Sequence, residues 1–221
     1  MNIFEKHEVF EIEVLNELKN ANLLNSVVFV GGTMLRLCYD LNRYSMDIDF
    51  WFIRTVNYSD YFLKLKKKLI ALYELTDAKE KLNTLLVELR SPLYPKKLKI
   101  EMRKGVVDCD YNEKIAFSQY SNIQIILRVI TLEEAMKNKI KAAINRKEIR
   151  DFYDIEFLLR KGIDFSPDKE KLIMLREIAL DFKEKDFKVI LGSVLEAKMR
   201  KYYIDNKFDY LIKKINEELS F

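Results

Sequence analysis

The spacing of hydrophobic residues changes along the chain, from helical at the start, through alternating segments in the middle, to helical again at the end. Residues 4–24 carry apolar side chains at helical spacing and predict a first helix, interpreted as scaffold. Val27–Val30 is a short continuous apolar run of the kind found in buried strands. Further strands are predicted over residues 47–52, 84–90, 96–103 and 122–130. Helical spacing returns after Thr131.

Residue types at the ends of these segments predict where several helices begin. Thr131 and Glu134 have the spacing of a capping box, which predicts a helix starting just after Thr131. Ser166 and Pro167 predict a second start, because serine suits the N-cap and proline the first helical position. Asp205 is the predicted cap of a final helix.

The change from strand-rich to helix-rich pattern near residue 130 predicts two regions. Residues 1–130 form the predicted core, and residues 131–221 form a helical region that completes the active site. A chain of 221 residues with 49% hydrophobic residues has ample material for a core. Because both strands and helices are predicted, the expected fold class is α/β in the broad sense that includes α+β.

Composition excludes several kinds of chemistry. The net charge of +4 is too small to indicate a strong nucleic-acid binder. Cys38 and Cys109 are far apart and form no metal-binding pair, and His7 is the only histidine, so histidine-based metal triads are excluded. No apolar run reaches membrane-spanning length and no signal-peptide pattern begins the chain, which favours a cytoplasmic protein.

The candidate chemistry is concentrated in residues 27–52. Gly31, Gly32 and Thr33 follow a buried strand and precede a helical pattern, so their N–H groups and the helix N-terminus predict a phosphate site. Asp47 and Asp49 are two residues apart on a predicted strand, which places both carboxylates on one face. Two adjacent carboxylates need a cation, and Mg²⁺ is the natural candidate because it is usually bound by one or two carboxylates plus substrate phosphates.

A later strand carries a third carboxylate, Glu101, on its charged face. This strand is expected to neighbour the one that carries Asp47 and Asp49. An equally good interpretation of Glu101 is pairing with the lysines beside it.

The helix after Thr131 carries Lys139 and Arg146 within its apolar arc. A lysine that points inward needs an anion, either a carboxylate of the fold or a substrate phosphate. Asp151 and Asp154 follow in a segment whose apolar residues predict a buried helix, and Asp151 lies closer to the apolar arc.

These motifs together resemble the polymerase β-like nucleotidyltransferases, in particular the AbiEii/AbiGii toxin branch of toxin–antitoxin systems. The resemblance rests on Gly31-Gly32-Thr33, on Arg43-x-Ser45-x-Asp47-x-Asp49, and on Lys139 followed by Arg146 and Arg150-Asp151-x-x-Asp154. It implies a mixed-sheet nucleotidyltransferase core followed by a helical C-terminal portion. One or two Mg²⁺ ions would be held by Asp47 and Asp49, with Glu101 as a third ligand or as the base.

The resemblance also implies the substrates and partners. An NTP would be the donor, bound through Gly31–Thr33 and through Lys139 and Arg146. One of Asp151 and Asp154, with Asp151 favoured, would orient Lys139 or take part in catalysis. Arg43 either contacts phosphate or pairs locally, and Ser45 is expected to hold the turn before the strand. The acceptor would be a hydroxyl of RNA, such as the 3′ end of tRNA, or of a protein. A separate antitoxin is the expected partner.

Other interpretations stay open at this stage. Lys139, Arg146, Arg150 and Asp151 can instead form an internal salt-bridge cluster that fixes helix packing. The whole chain can be a catalytically silent nucleotide-binding or interaction module, or a small-molecule nucleotidyltransferase that uses the same metal site.

Overall fold

The computed structural model describes residues 1–220, in which seven strands form one mixed sheet. The helices are α1 (Ile3–Asn20), α2 (Gly31–Tyr39), α3 (Tyr58–Ile70), α4 (Leu132–Arg146), α5 (Ile149–Arg160), α6 (Lys169–Asp181), α7 (Ala197–Asn206) and α8 (Asp209–Leu219). The strands are β1 (Val27–Val30), β2 (Asp47–Phe52), β3 (Glu74–Glu80), β4 (Thr84–Arg90), β5 (Leu98–Val106), β6 (Tyr111–Phe117) and β7 (Gln124–Ile130).

The chain divides into two compact units. The first comprises Met1–Asp40 and Tyr44–Thr131, and the second comprises Leu41–Arg43 together with residues 132–220. All seven strands belong to the first unit, whereas α4 to α8 belong to the second.

The sheet of the first unit has the order β3-β4-β5-β2-β1-β7-β6. Strand β2 runs antiparallel to β1 on one side and parallel to β5 on the other. Every residue of β1 is buried, as its continuous apolar sequence predicts for a central strand. Helix α1 packs on β5 and β7, α2 on β1, β2 and β6, and α3 on β3 and β4. The core of this unit therefore lies between these helices and the central strands.

The second unit is helical and is packed around aromatic side chains. Helix α4 packs on α5 and α6, and α8 packs on the same two helices. Phe152, Phe187, Tyr203 and Phe208 are buried at its centre, with the Phe187 and Phe208 ring centroids 5.1 Å apart. A π-helical turn (Asp186–Leu191) and a 3₁₀ turn (Gly192–Val194) join α6 to α7.

Two of the predicted helix starts are wrong. Helix α6 begins at Lys169, and its cap is Asp168, whose side chain accepts a hydrogen bond from the Lys171 N–H, rather than Ser166. Asp205 lies inside α7, and the last helix begins at Asp209. Asp168, two residues after Ser166, provides a competing cap, which explains the shift of α6.

The sequence pattern also missed two strands, β3 and β6, which form the two edges of the sheet. Most of their side chains are exposed or half-buried, so neither strand has the apolar face that produces an alternating pattern. Helix α2 begins at Gly31 and so includes Gly31–Thr33, which were expected to precede the helix.

Candidate active site

Strand β2 carries both aspartates on one side. Its burial alternates along the strand: Asp47 and Asp49 are half-buried, whereas Ile48 and Phe50 are buried in the core. This alternation follows from the period of two residues in a strand, which turns apolar residues inward. The two carboxylates therefore share one face of β2.

Gly31 brings the start of α2 against Asp49. Val30 is paired with Asp49 across β1 and β2, and Gly31 follows with a φ of +83°. A Cβ atom at this position would lie 2.5 Å from Asp49 Oδ2, closer than such contacts occur. Only glycine combines this left-handed conformation with so close an approach. The backbone of residues 31–33 and the Asp49 carboxylate thus lie together.

Strand β5 places Lys99 and Glu101 beside the two aspartates. In the parallel pairing of β2 and β5, Asp47 is opposite Lys99 and Asp49 is opposite Glu101. Lys99 Nζ lies 3.2 Å from Asp47 Oδ2 and 3.3 Å from Glu101 Oε1. Burial opposes the charge on Lys99, but Asp47 and Glu101 outweigh it and raise the pKa of the ammonium above its ordinary value. A positive charge therefore bridges two of the carboxylates.

This arrangement fits a cation, since an ammonium group already bridges Asp47 and Glu101. In the part of the chain that the structure describes, no group of three or more His, Cys, Asp or Glu side chains is arranged to hold a metal ion. Asp47 and Asp49 are thus a pair rather than part of a closed three-carboxylate cage. A pair suffices for Mg²⁺, which usually keeps open positions for water and substrate phosphates.

The second unit contains a buried ion cluster centred on Asp154. Arg43 donates from Nε and Nη2 to the two oxygens of Asp154, at 2.6 and 2.7 Å. Lys139 Nζ lies 2.6 Å from Asp154 and 3.1 Å from Asp151. Burial acts against the charge of Asp154, but Arg43 and then Lys139 prevail and lower the pKa of its carboxyl group. Asp154 is fully buried and is held as a carboxylate by two cations.

The predicted choice between Asp151 and Asp154 is not reflected in the contacts, because Lys139 pairs with both. Arg146 also binds Asp151, through Nη2 at 2.9 and 2.8 Å. Arg150 pairs with Glu148 instead, at 3.0 Å. The internal ion cluster suggested by the sequence therefore exists without Arg150 and with Arg43 and Asp154 as additional members.

The structure assigns the remaining predicted residues to different surroundings. Gly32 and Thr33 are buried, and the Thr33 hydroxyl donates to the main-chain oxygen of Asp47. Ser45 is half-buried just before β2. The sequence missed Lys99 as a site residue, although Lys99 and Glu101 share a face by alternation and lysine pairing was one interpretation of Glu101.

No helix among residues 1–220 combines the length and apolar character needed to cross a membrane.

The fold agrees with solved structures of bacterial proteins. JHP933 from Helicobacter pylori matches with a TM-score of 0.53 at 19% identity, over 93% of this chain and 94% of that protein. A proposed nucleotidyltransferase from H. pylori matches with a TM-score of 0.56 at 19% identity, over 95% and 96% of the two chains. No curated protein matches the sequence significantly.

The comparison with protein families assigns the chain to the nucleotidyltransferase class. More specifically, the family model "Nucleotidyl transferase AbiEii toxin, Type IV TA system" matches residues 13–207. The chain belongs to the AbiEii family and is a nucleotidyltransferase of the toxin type. The family implies an NTP substrate and a cognate antitoxin.

Proposed function

We propose that the protein transfers an NMP from an NTP to a hydroxyl group of an RNA, such as the 3′ end of tRNA, or of a protein. The transfer would depend on Mg²⁺ held by Asp47 and Asp49. The observation that carries this proposal is the shared face of these two carboxylates, with Gly31 against Asp49 and a lysine ammonium bridging Asp47 and Glu101. Under this proposal the protein acts in the cytoplasm, where NTPs and RNA are present.

The reaction exchanges one P–O bond for another. The acceptor oxygen forms a bond to the α-phosphorus, and the bond from that phosphorus to the α–β bridging oxygen breaks. Pyrophosphate leaves with the electron pair, and the hydroxyl proton passes to Glu101 as the proposed base. When bound, Mg²⁺ would supply positive charge that neutralises the phosphate oxygens, and a second ion is compatible with this chemistry.

The protein contributes position and charge to this exchange. The N–H groups at the start of α2 would bind phosphate oxygens, because a helix N-terminus favours anions. Asp47 and Asp49 would orient the donor through the ion that they hold. The open faces of these half-buried side chains leave room for a substrate, unlike the fully buried Asp154.

Lys139 and Arg146 keep their proposed role as triphosphate ligands, by family resemblance. Three cations, Arg43, Lys139 and Arg146, face two carboxylates, Asp151 and Asp154, so the cluster carries excess positive charge. Arg146 is the most exposed of the three and is therefore the best placed to reach a solvent-borne phosphate. Arg43 is proposed to orient Asp154 rather than to bind phosphate.

The substitution Asp49→Asn tests the metal assignment. We expect transfer of label from an α-phosphorus-labelled NTP to fall roughly a thousandfold, because several kcal/mol of transition-state stabilisation are lost. Growth arrest on expression should disappear with it. The matched control is Asp77→Asn, a half-buried strand aspartate that pairs with Lys79, which should transfer label at the wild-type rate.

The acceptor is identified by offering labelled NTPs with total RNA, with cell lysate and with small hydroxyl compounds in separate reactions. Label in RNA or protein supports the proposal, whereas label only in small compounds would make the protein a small-molecule nucleotidyltransferase. Wild-type label transfer by the Asp49→Asn variant would refute the metal site. NTP binding without release of pyrophosphate under all these conditions would identify a sensor instead.

A further inference from the structure

Three buried polar side chains of the first unit lie behind the start of β2. The Thr33 hydroxyl donates to the main-chain oxygen of Asp47 at 2.6 Å. His7 Nε2 lies 3.0 Å from the main-chain oxygen of Met46. Glu11 lies between these two contacts, 3.5 Å from Thr33 Oγ1 and 3.6 Å from His7 Nε2. All three side chains are almost completely buried.

These contacts supply hydrogen bonds where the sheet does not. The pairing of β1 with β2 ends at Val30 and Asp49, before Asp47 is reached. Strand β5 pairs with Asp47 from the other side. The main-chain oxygens of Met46 and Asp47 instead accept hydrogen bonds from side chains of α1 and α2, which provide the donors that buried carbonyl groups need.

The number of protons on each group decides which group donates in these hydrogen bonds. A hydroxyl group has one proton, and the short contact from Thr33 to Asp47 uses it. Glu11 Oε1, 3.5 Å from the same hydroxyl, then receives little or no share of that proton, so a protonated, neutral acid suits this position. Burial, and next the charge of Glu8, raise the pKa of Glu11 well above its ordinary value, which favours this neutral acid.

The hydrogen bond to Met46 also selects one tautomer of His7. The Met46 oxygen can only accept, so Nε2 carries the proton. Burial lowers the pKa of His7 and keeps the ring neutral. Its Nδ1 is buried without a hydrogen-bond partner among the described residues. A buried unpaired nitrogen costs stability, and an apolar side chain here would avoid that cost. The hydrogen bond to the Met46 main-chain oxygen explains why a histidine, rather than an apolar residue, occupies position 7.

We propose that His7, Glu11 and Thr33 are positioning residues that fix the backbone of Met46 and Asp47 and thereby aim the Asp47 carboxylate at its cation. This inference rests on the proposed function, because it assumes that Asp47 holds a divalent ion. None of the three side chains needs to touch the nucleotide. They act through the main chain of β2, in the way that supporting hydrogen bonds orient the ligands of other metal sites.

Thr33→Val is the sharpest test, because it removes the hydroxyl and keeps the shape. We expect kcat to fall by about tenfold or more, since small displacements of positioning groups are costly, while KM for NTP stays within about twofold. Mn²⁺ binding by the nucleotide-free protein, followed by electron paramagnetic resonance, should weaken about fivefold, as the loss of one hydrogen bond implies. Thr33→Ser, which restores the hydroxyl, should recover most of both properties.

Two further variants separate positioning from general stability. Tyr61→Phe removes another buried hydroxyl, which donates to the Leu23 main-chain oxygen, and should leave Mn²⁺ binding at the wild-type level. Glu11→Gln keeps a neutral donor and should bind Mn²⁺ normally, whereas Glu11→Leu should resemble Thr33→Val.

The outcomes distinguish this inference from the proposed function. If Asp49→Asn is inactive while Thr33→Val keeps the wild-type kcat and Mn²⁺ affinity, the positioning role is overturned and the metal site stands. A lower melting temperature of Thr33→Val with unchanged Mn²⁺ binding would likewise reduce the three residues to packing. If Asp49→Asn remains fully active, the proposed function itself fails.

Discussion

The two units contain charge clusters built from the same residue types in opposite environments. On β2 and β5, the side chains of Asp47 and Lys99 are 47% and 35% exposed. Between α4 and α5, those of Asp154 and Lys139 are 0% and 13% exposed. Exposed ion pairs contribute little to stability and exchange partners readily, whereas buried pairs are strongly destabilised when one partner is removed.

The difference indicates what each cluster can do. The β2 cluster can lose its contact with Lys99 at small cost, as the proposed metal site requires. The α4–α5 cluster cannot lose a partner without leaving a buried charge. The same chemistry is therefore exchangeable in one unit and fixed in the other.

The largest expected effect comes from Asp154→Asn. This change leaves the buried Arg43 and Lys139 without their shared carboxylate, and we expect a loss of about 3–5 kcal/mol in the free energy of unfolding. Urea denaturation measures it. Asp181→Asn removes an exposed partner of Lys183 in the same unit and should unfold at the wild-type urea concentration. If both variants unfold like the wild type, the buried cluster is not structural.

A smaller loss is expected for Asp151→Asn. Lys139 keeps its contact with Asp154, and Arg146 is exposed enough to be solvated. We expect about 1–3 kcal/mol, the cost of a disrupted buried charged hydrogen bond, in the same denaturation experiment. A loss as large as that of Asp154→Asn would show that Asp151, not Asp154, is the centre of the cluster.

The pH dependence of stability should have opposite signs in the two units. The pKa of Asp154 is lowered by folding, so its contribution is complete above the unfolded pKa of about 3.9 and is lost as the pH falls through the folded value. The pKa of Glu11 is raised, so its contribution is present below about 4.3 and is lost as the pH rises through the folded value.

Glu11→Gln should therefore be more stable than the wild type near neutral pH, with the difference shrinking towards about pH 4. Asp154→Asn should lose less stability on acidification than the wild type does. Melting temperatures across this range measure both effects. Parallel pH profiles for Glu11→Gln and the wild type would contradict the assignment of a neutral Glu11.

The sequence predicted the features that depend on local periodicity. The common face of Asp47 and Asp49 follows from strand alternation, and the neighbouring position of the Glu101 strand was expected and is confirmed by the pairing of β2 with β5. Gly31 was predicted as part of a phosphate site, but its close approach to Asp49 depends on the register of β1 and β2.

Contacts between distant segments were beyond the reach of sequence pattern. Arg43 and Asp154 are 111 residues apart, and nothing in their spacing connects them. Helix α5 is buried on nearly all sides, so an argument based on one apolar arc has no basis for choosing between Asp151 and Asp154. His7 and Glu11 lie on an amphipathic helix whose pattern predicts packing alone.

The smallest effect on stability is expected from Lys99→Met. This variant also tests most directly whether the Lys99 ammonium exchanges with a metal ion. The variant removes an ammonium that occupies the space between Asp47 and Glu101, and because that pair is partly solvated, unfolding should change by no more than about 1 kcal/mol. Mn²⁺ should bind about fivefold more tightly, since a competing positive charge a few ångströms away is lost.

Lys97→Met provides the matched control, because Lys97 precedes the same strand but pairs with Glu88 at 2.7 Å. Its Mn²⁺ affinity should equal that of the wild type. Weaker Mn²⁺ binding in Lys99→Met than in Lys97→Met would mean that Lys99 holds the carboxylates in place for the ion rather than competing with it. The β2 cluster would then be preorganised by a fixed ion pair, as the α4–α5 cluster is, and the contrast between the two units would lie in burial alone.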